Sequence, residues 1–370
     1  MFSIFRKPPS IGIDLGTANT LMYLSGQGVV LDQPSVVAIN KKNGELLKAG
    51  EAAKHMIGKT PDNIETVRPV RDGVIANKAA TDLMMQSFMK SSDTHNANAP
   101  RMVIGVPSCI TDIERLAVRE AGILASREVH LIDETVAAAI GAGLPINEPT
   151  GSMIVDIGGG TTEIAVIALG GIVCDRSVKI AGDVFTNDIV NYMRTQFNLF
   201  IGESTGEKIK IECGSALDDL ENPPNEMEIQ GRDLLTGKPK SVLMTHKDVA
   251  KALDKSIIRI EDAVMETLSQ TPPELASDIY NSGIYLAGGG ALLRGLDTRL
   301  SNKTDLPVYV SEDPLRDVIF TQAKEDSIHT GVAGMDCTSY NMFVDNNLFA
   351  QTKEFMKHAM AASIEALYMI

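Results

Sequence analysis

An apolar run that ends in aspartate and breaks into a glycine turn occurs twice in this 370-residue chain. Residues 10–17 read SIGIDLGT and residues 152–161 read SMIVDIGGGT, sharing the order apolar strand, Asp, apolar residue, Gly, Thr. A repeated unit of this kind predicts a duplicated domain with a cleft between the copies. A third apolar run enters glycines at 283–291 (GIYLAGGGA) and predicts another strand, glycine turn and helix start. Between these, 102–106 reads as a buried strand and 111–126 as a helix opened by a capping box of Thr111 and Glu114. A short strand at 129–132 and an alanine-rich helix at 136–143 follow. Strands alternating with helices place the chain in the α/β class, around a mainly parallel or mixed sheet.

A glycine turn at the end of an apolar strand lets main-chain N–H groups face a phosphate, because no Cβ blocks the approach. Two such turns on opposing halves can clamp a nucleotide's phosphates from both sides. Asp14 and Asp156 end their strands beside the turns, where carboxylates can hold Mg²⁺ through its water shell. Each motif alone has a plainer reading, as an Asx turn or as loop punctuation. Three occurrences at strand ends favour phosphate.

The rest of the composition narrows the function by exclusion. A net charge of -14 gives a surface that on average repels nucleic acid and anionic lipid, so no nucleic-acid partner is expected. Cys109, Cys174, Cys213 and Cys337 stand far apart and the six histidines are scattered, which predicts free thiols in a reducing compartment and no thiolate or imidazole metal site. Neither a signal-peptide apolar region nor an apolar run of about 18 residues is present, and a cytoplasmic location is expected.

Along the chain, residues 11–39 read as a meander of four short strands, the later two around Val29 and at 36–39. Turn chemistry at 145–151 marks a boundary. Residues 183–250 read as an insertion in the second half: a helix at 184–197, a turn at 202–206 (GESTG), a helix from Glu207, and a polar segment from Asn222. Helix signals resume over 246–269.

Residues 11–20 (IGIDLGTANT), 155–163 (VDIGGGTTE) and 286–295 (LAGGGALLRG) resemble the phosphate-1, phosphate-2 and adenosine motifs of the actin, Hsp70 and sugar-kinase superfamily. With 33–39 (QPSVVAI), 68–76 (RPVRDGVIA), 139–145 (AIGAGLP) and 271–276 (TPPELA), the wording is similar to the MreB family over about residues 9–315. The resemblance implies a duplicated actin-like, RNase H-like ATPase fold with nucleotide in a central cleft. Residues 1–32, 67–148 and 316–370 would form the first large domain and 33–66 its small subdomain; 149–182 and 251–315 would form the second large domain and 183–250 its small subdomain.

It also implies a slow ATPase using ATP and Mg²⁺ that polymerises with itself into head-to-tail protofilaments, meets other morphogenetic proteins at the inner membrane surface, and determines cell shape. By position, Gly16, Thr17, Ala18 and Asn19 would touch phosphates, with Gly158, Gly159, Gly160, Thr161 and Thr162 facing them. Glu207, Lys208 and Lys210 would contact ribose and base, and Gly288, Gly289, Gly290 and Ala291 the adenosine side, while Asp14 and Asp156 would serve the metal. Glu134, helped by Thr161, would position the attacking water. Read without the family, Glu207 and Lys210 are a solvated helical pair and Glu134 a carboxylate favoured at a helix start. The family wording Glu-Glu-Pro-Met stands here as Asp133-Glu134-Thr135-Val136, so hydrolysis is expected at an altered rate. An Hsp70-like chaperone or a sugar kinase shares the clamp; the first needs a further substrate-binding region, the second a sugar pocket that no segment resembles.

Met1, Phe2, Ile4 and Phe5 with Arg6 and Lys7 form an apolar, basic stub that either dips into a lipid interface or frays. Residues 91–100 are polar, where some relatives carry an apolar membrane-facing pair. The tail 346–370 has an amphipathic pattern, read as a helix docked on the first domain or held for a partner.

Overall fold

A computed structural model describes residues 10–92, 101–123, 126 and 128–319. The apolar stub, most of the polar 91–100 loop and the amphipathic tail lie outside the described residues. The chain opens with an antiparallel meander of β1 (Ser10–Leu15), β2 (Asn19–Leu24) and β3 (Gly28–Pro34). The fourth strand of the expected meander, β4 (Val37–Asn40), leaves it. It forms a separate antiparallel sheet with β5 (Leu46–Ala49) and β6 (Ile64–Val67), against which the short helix α1 (Glu51–Lys54) packs. The departure has a local cause. Pro34 ends β3 without an N–H, and Ser35 is tied to the first glycine turn, its N–H donating to Ala18 O (2.9 Å) and its Oγ to Gly16 O (2.6 Å).

A two-residue hairpin follows, β7 (Val70–Arg71) and β8 (Val74–Ile75), closed by Asp72 and Gly73 with φ of 50° and 75°. Two positive φ values fit the hairpin turn whose twist matches its strands, which is why Asp-Gly stands there. Then come α2 (Lys78–Ser91), β9 (Arg101–Val106), α3 (Asp112–Ile123), β10 (Glu128–Asp133) and α4 (Glu134–Ala142). The expected capping box is present on α3: Glu114 Oε2 accepts from Thr111 N–H (2.8 Å), and Glu114 N–H donates to Thr111 Oγ1 (3.3 Å). Strands β9 and β10 add in parallel beside β1, giving the order β10-β9-β1-β2-β3.

The second half repeats this plan. β11 (Ser152–Ile157), β12 (Thr162–Ala168) and β13 (Gly171–Val178) form an antiparallel meander. An excursion follows through α5 (Gly182–Gln196), β14 (Leu199–Phe200), α6 (Glu203–Cys213), β15 (Met227–Asp233) and β16 (Pro239–Met244). The chain returns through α7 (His246–Gln270) and α8 (Pro273–Ser282), and β17 (Ile284–Ala287), α9 (Leu296–Thr304) and β18 (Val308–Val310) complete it. β17 and β18 add in parallel beside β11, so the order β13-β12-β11-β17-β18 is the first sheet's topology over again.

Two details of the excursion differ from the sequence reading. The 202–206 segment is no turn, because α6 begins at Glu203; a Cβ on Gly206 would lie 2.7 Å from Val190 Cγ2, so the glycine serves close packing of α6 on α5. The polar stretch after Asn222 holds the β15–β16 hairpin, whose apolar alternation is masked because one face is solvated.

Helix α4 touches β9 and β10 of the first sheet and β11, β12 and β17 of the second. Its Ala137, Ala138 and Ala139 are fully buried. Small side chains are what a helix needs when sheets approach it from two sides. On the far face of the second sheet, Val249, Leu253, Ile257, Ile260 and Val264 of α7 pack with Met153, Val155 and Phe185 in one core. The first half has its own, built on Met22, Met84, Met102 and Ile104.

Candidate nucleotide cleft

The first two glycine turns meet. A Cβ on Gly159 would lie 2.8 Å from Ala18 Cβ, and one on Gly160 would lie 2.7 Å from Thr17 Oγ1 and 2.8 Å from the Asp72 backbone. The glycines at 159 and 160 are therefore required by close approach of the halves, whereas Gly158 has only Thr161 O at 3.4 Å. Within the second turn Gly158 N–H donates to Thr161 O (3.0 Å), and Thr162 Oγ1 donates to Ile180 O (2.6 Å). Asn19 belongs to β2 and its Nδ2 donates to Asp32 (3.2 Å).

The Asp72-Gly73 turn is a member of this junction that the sequence reading passed over. Gly73 N–H donates to Thr17 Oγ1 (3.0 Å), and a Cβ there would lie 3.4 Å from Thr161 Oγ1. Its Asp-Gly pair, set between Val70-Arg71 and Val74-Ile75, was the signal available; nothing in the string says that the turn lies against Thr17 and Gly160.

Four carboxylates gather behind the turns. Asp14 lies at the end of β1, where burial and the nearby Asp32 push its carboxyl up to about 7. Asp156 is raised by burial and then by Glu163, Asp14 and Asp317. Glu134 is held well above the usual range by burial, then by Glu163, Asp14 and Asp156; it opens α4 beside Gly105, where a Cβ would sit 3.3 Å from Glu134 Cγ. Glu163, across β11–β12 from Asp156, is 2% exposed; its Oε2 accepts from Ser108 N–H (3.3 Å) while Oε1 has no partner.

Glu163 and Asp14 raise both Asp156 and Glu134, a repulsion that a cation beside them would relieve. Among the described residues, no three His, Cys, Asp or Glu side chains converge into a metal cage of their own. Asp14 and Asp156, beside the glycine turns, nevertheless fit Mg²⁺, whose remaining ligands are commonly water and phosphate oxygens.

The third glycine turn leans on the end of β11. Gly288 (φ 76°) packs against the Asp156 carboxyl and the Ile157 backbone, a Cβ on Gly290 would lie 2.7 Å from Ile157 Cβ, and Ala291 is buried. Gly289 is looser, with Leu315 Cδ2 at 3.1 Å. On the other side α5 starts from the second turn, with Gly182 N–H donating to Gly158 O (3.1 Å) and Asp183 N–H to Gly159 O (2.8 Å). Lys210 Nζ donates to Gly182 O (2.9 Å) and pairs with Glu207 (2.7 Å), which also accepts from Thr186 Oγ1 (2.6 Å). Burial alone would raise the Glu207 carboxyl; Lys210, Thr186 and Lys54 outweigh it and hold it low. Glu207 and Lys210 thus form a fixed pair beside the second turn. Lys208 points elsewhere, exposed and paired with Glu212 (3.9 Å).

Two sheets of one topology, with glycine turns meeting between them, define the actin-like class of folds. *Spiroplasma citri* MreB5 bound to AMPPNP has the same fold, with a TM-score of 0.82 and 38% identity over 88% of this chain and 100% of that one. The chain belongs to the MreB/Mbl family, whose model, described as MreB/Mbl protein, matches residues 8–329. It is 50% identical over 312 residues to cell shape-determining protein MreB of *Escherichia coli* K12, covering 82% of this chain and 89% of that protein. It is 45% identical over 307 residues to cell shape-determining protein Mbl of *Bacillus subtilis* 168, covering 82% and 92%.

Proposed function

We propose that this chain binds Mg²⁺-ATP between its first two glycine turns, hydrolyses it slowly, and polymerises with itself into head-to-tail filaments that set cell shape at the inner face of the membrane. The observation that carries the reading is the contact of Gly159 and Gly160 with Ala18 and Thr17, which makes one clamp from two halves of the chain. The AMPPNP bound to the *S. citri* relative and the cell-shape role named for the *E. coli* and *B. subtilis* relatives support it.

In this reading the two five-stranded sheets are the cores of the large domains, and the β4–β6 and β14–β16 sheets belong to the small ones. Main-chain N–H groups at 16–18 and 159–162 bind phosphate oxygens, Gly288 to Ala291 bound the adenosine side, and Glu207 and Lys210 bound the ribose. Asp14 and Asp156 would hold Mg²⁺, which would supply neutralisation of phosphate charge. Glu134 orients a water toward the γ-phosphate, with Thr161 beside it; positioning and charge neutralisation supply most of such catalysis. Among the described residues no helix is long and apolar enough to cross a membrane; the contact with lipid in this reading is made by Met1, Phe2, Ile4 and Phe5.

Sedimentation after addition of ATP, ADP or a non-hydrolysable analogue, followed by electron microscopy, tests the reading. Filaments that pellet with ATP and the analogue are expected. Sugar-dependent ADP release without polymer would replace the reading with a kinase.

A further inference from the structure

Arg68 lies just beyond β6, at the exit from the first half's small sheet, and reaches across to the second half. Its Nη1 donates to Asp183 Oδ1 (3.1 Å) and its Nη2 to Glu203 Oε1 (2.5 Å). The two acceptors are far apart in sequence but open consecutive helices: Asp183 is in the first turn of α5, and Glu203 begins α6. Both helices reach the nucleotide cleft. Asp183 N–H is bonded to Gly159 O of the second glycine turn, and α6 carries Glu207 and Lys210, whose ammonium is bonded to Gly182 O. One guanidinium therefore ties the small sheet of the first half to the elements that shape the phosphate and ribose sides.

We infer that Arg68 is a positioning residue for nucleotide retention: a clasp that holds α5 and α6 against the first half, so that bound nucleotide leaves only when the clasp opens. The inference rests on the proposed nucleotide site and adds a residue that touches no part of it. Other pairs between the halves are weaker. Lys179 is 3.9 Å from Asp72 with both side chains largely exposed, while Lys54 acts on Glu207 only through its charge. Arg68 is the better placed: its side chain is 25% exposed, and each terminal nitrogen has its own carboxylate. A planar guanidinium suits such a two-point contact, and a lysine could not reproduce it. The acceptors keep 36% and 46% exposure, so the clasp is open to solvent and sensitive to salt.

The test is the dissociation rate of a fluorescent ATP analogue from full-length protein with Mg²⁺, chased with excess ATP in low and high salt. Arg68→Ala is expected to speed release on the order of 3- to 10-fold, the scale of losing a partly exposed paired ion contact. Glu203→Gln, a mild change at an exposed helix start, should speed release by less. The double variant should release no faster than Arg68→Ala, because both act through one contact. Salt should accelerate release from the wild type and have little effect on Arg68→Ala. If Arg68→Ala does not fold, Glu203→Gln and the wild-type salt dependence decide. Release rates unchanged in the folded variants, or fully additive effects, would overturn the clasp while leaving the nucleotide site standing. A wild-type chain that binds no nucleotide overturns both.

Discussion

Alanine at Gly160 is expected to weaken nucleotide binding while leaving each half folded. The added Cβ would stand 2.8 Å from the Asp72 backbone and 2.7 Å from Thr17 Oγ1, where ordinary contact begins near 3.4 Å. Relief requires the turns to separate by roughly 0.6 Å, because the Asp72 backbone cannot rotate out of the way. A 2.9 Å N–H to phosphate bond stretched by that amount passes the limit of useful geometry. Overpacking of this kind costs about 1–3 kcal/mol. Here the strain falls between the halves and not inside either core, so it should appear as roughly 5- to 150-fold weaker ATP binding with a small change in thermal midpoint. Gly158→Ala is the control within the same turn, since its nearest neighbour is Thr161 O at 3.4 Å; it should bind within about twofold of wild type. Titration of a fluorescent ATP analogue, with a melting curve for each variant, reads both quantities. Equal affinity for Gly160→Ala and Gly158→Ala would refute the argument that contact between the turns builds the clamp.

Two further outcomes follow from the carboxylates. Glu134→Gln keeps the shape beside Gly105 and should retain ATP binding while slowing phosphate release about 100-fold, the lower range for a positioned acid–base group; wild-type release would remove Glu134 from the reaction. Burial pushes Glu163 up to about 7 from an ordinary 4.5, so between those values the folded chain keeps a proton that the unfolded chain has lost. That stabilisation is complete below about pH 4.5 and is lost as pH rises through about 7. The melting temperature of the nucleotide-free protein should therefore fall across this window, and Glu163→Gln should flatten the fall; parallel wild-type and variant profiles would show that Glu163 does not titrate there.

The duplication was readable because its signal is local. A strand ending in Asp and breaking at glycine at positions 10–17 and 152–161 needs no tertiary information, and the two sheets carry the same topology around it. Helix α3 was legible through Thr111 and Glu114, and α7 through its periodic apolar face. The departure of β4 was hidden because it depends on Ser35 bonding back to Gly16 and Ala18, and the start of α6 because Gly206 looks like a turn residue until α5 lies against it. At the cleft, the glycine turns and the aspartates beside them could be named in advance. Arg68, Asp72 and Glu163 could not be given places there, since an isolated arginine, a hairpin turn and a strand glutamate acquire their neighbours only when the halves come together.

The bare surface of α4 bears on how those halves could move. Side chains that interlock hold two bodies in one register, whereas Ala137, Ala138 and Ala139 project a single methyl each between the sheets. Methyls this short let the two sheets stand close on either side of one helix, so α4 sets the spacing of the halves. A valine at Ala138 would therefore widen that gauge.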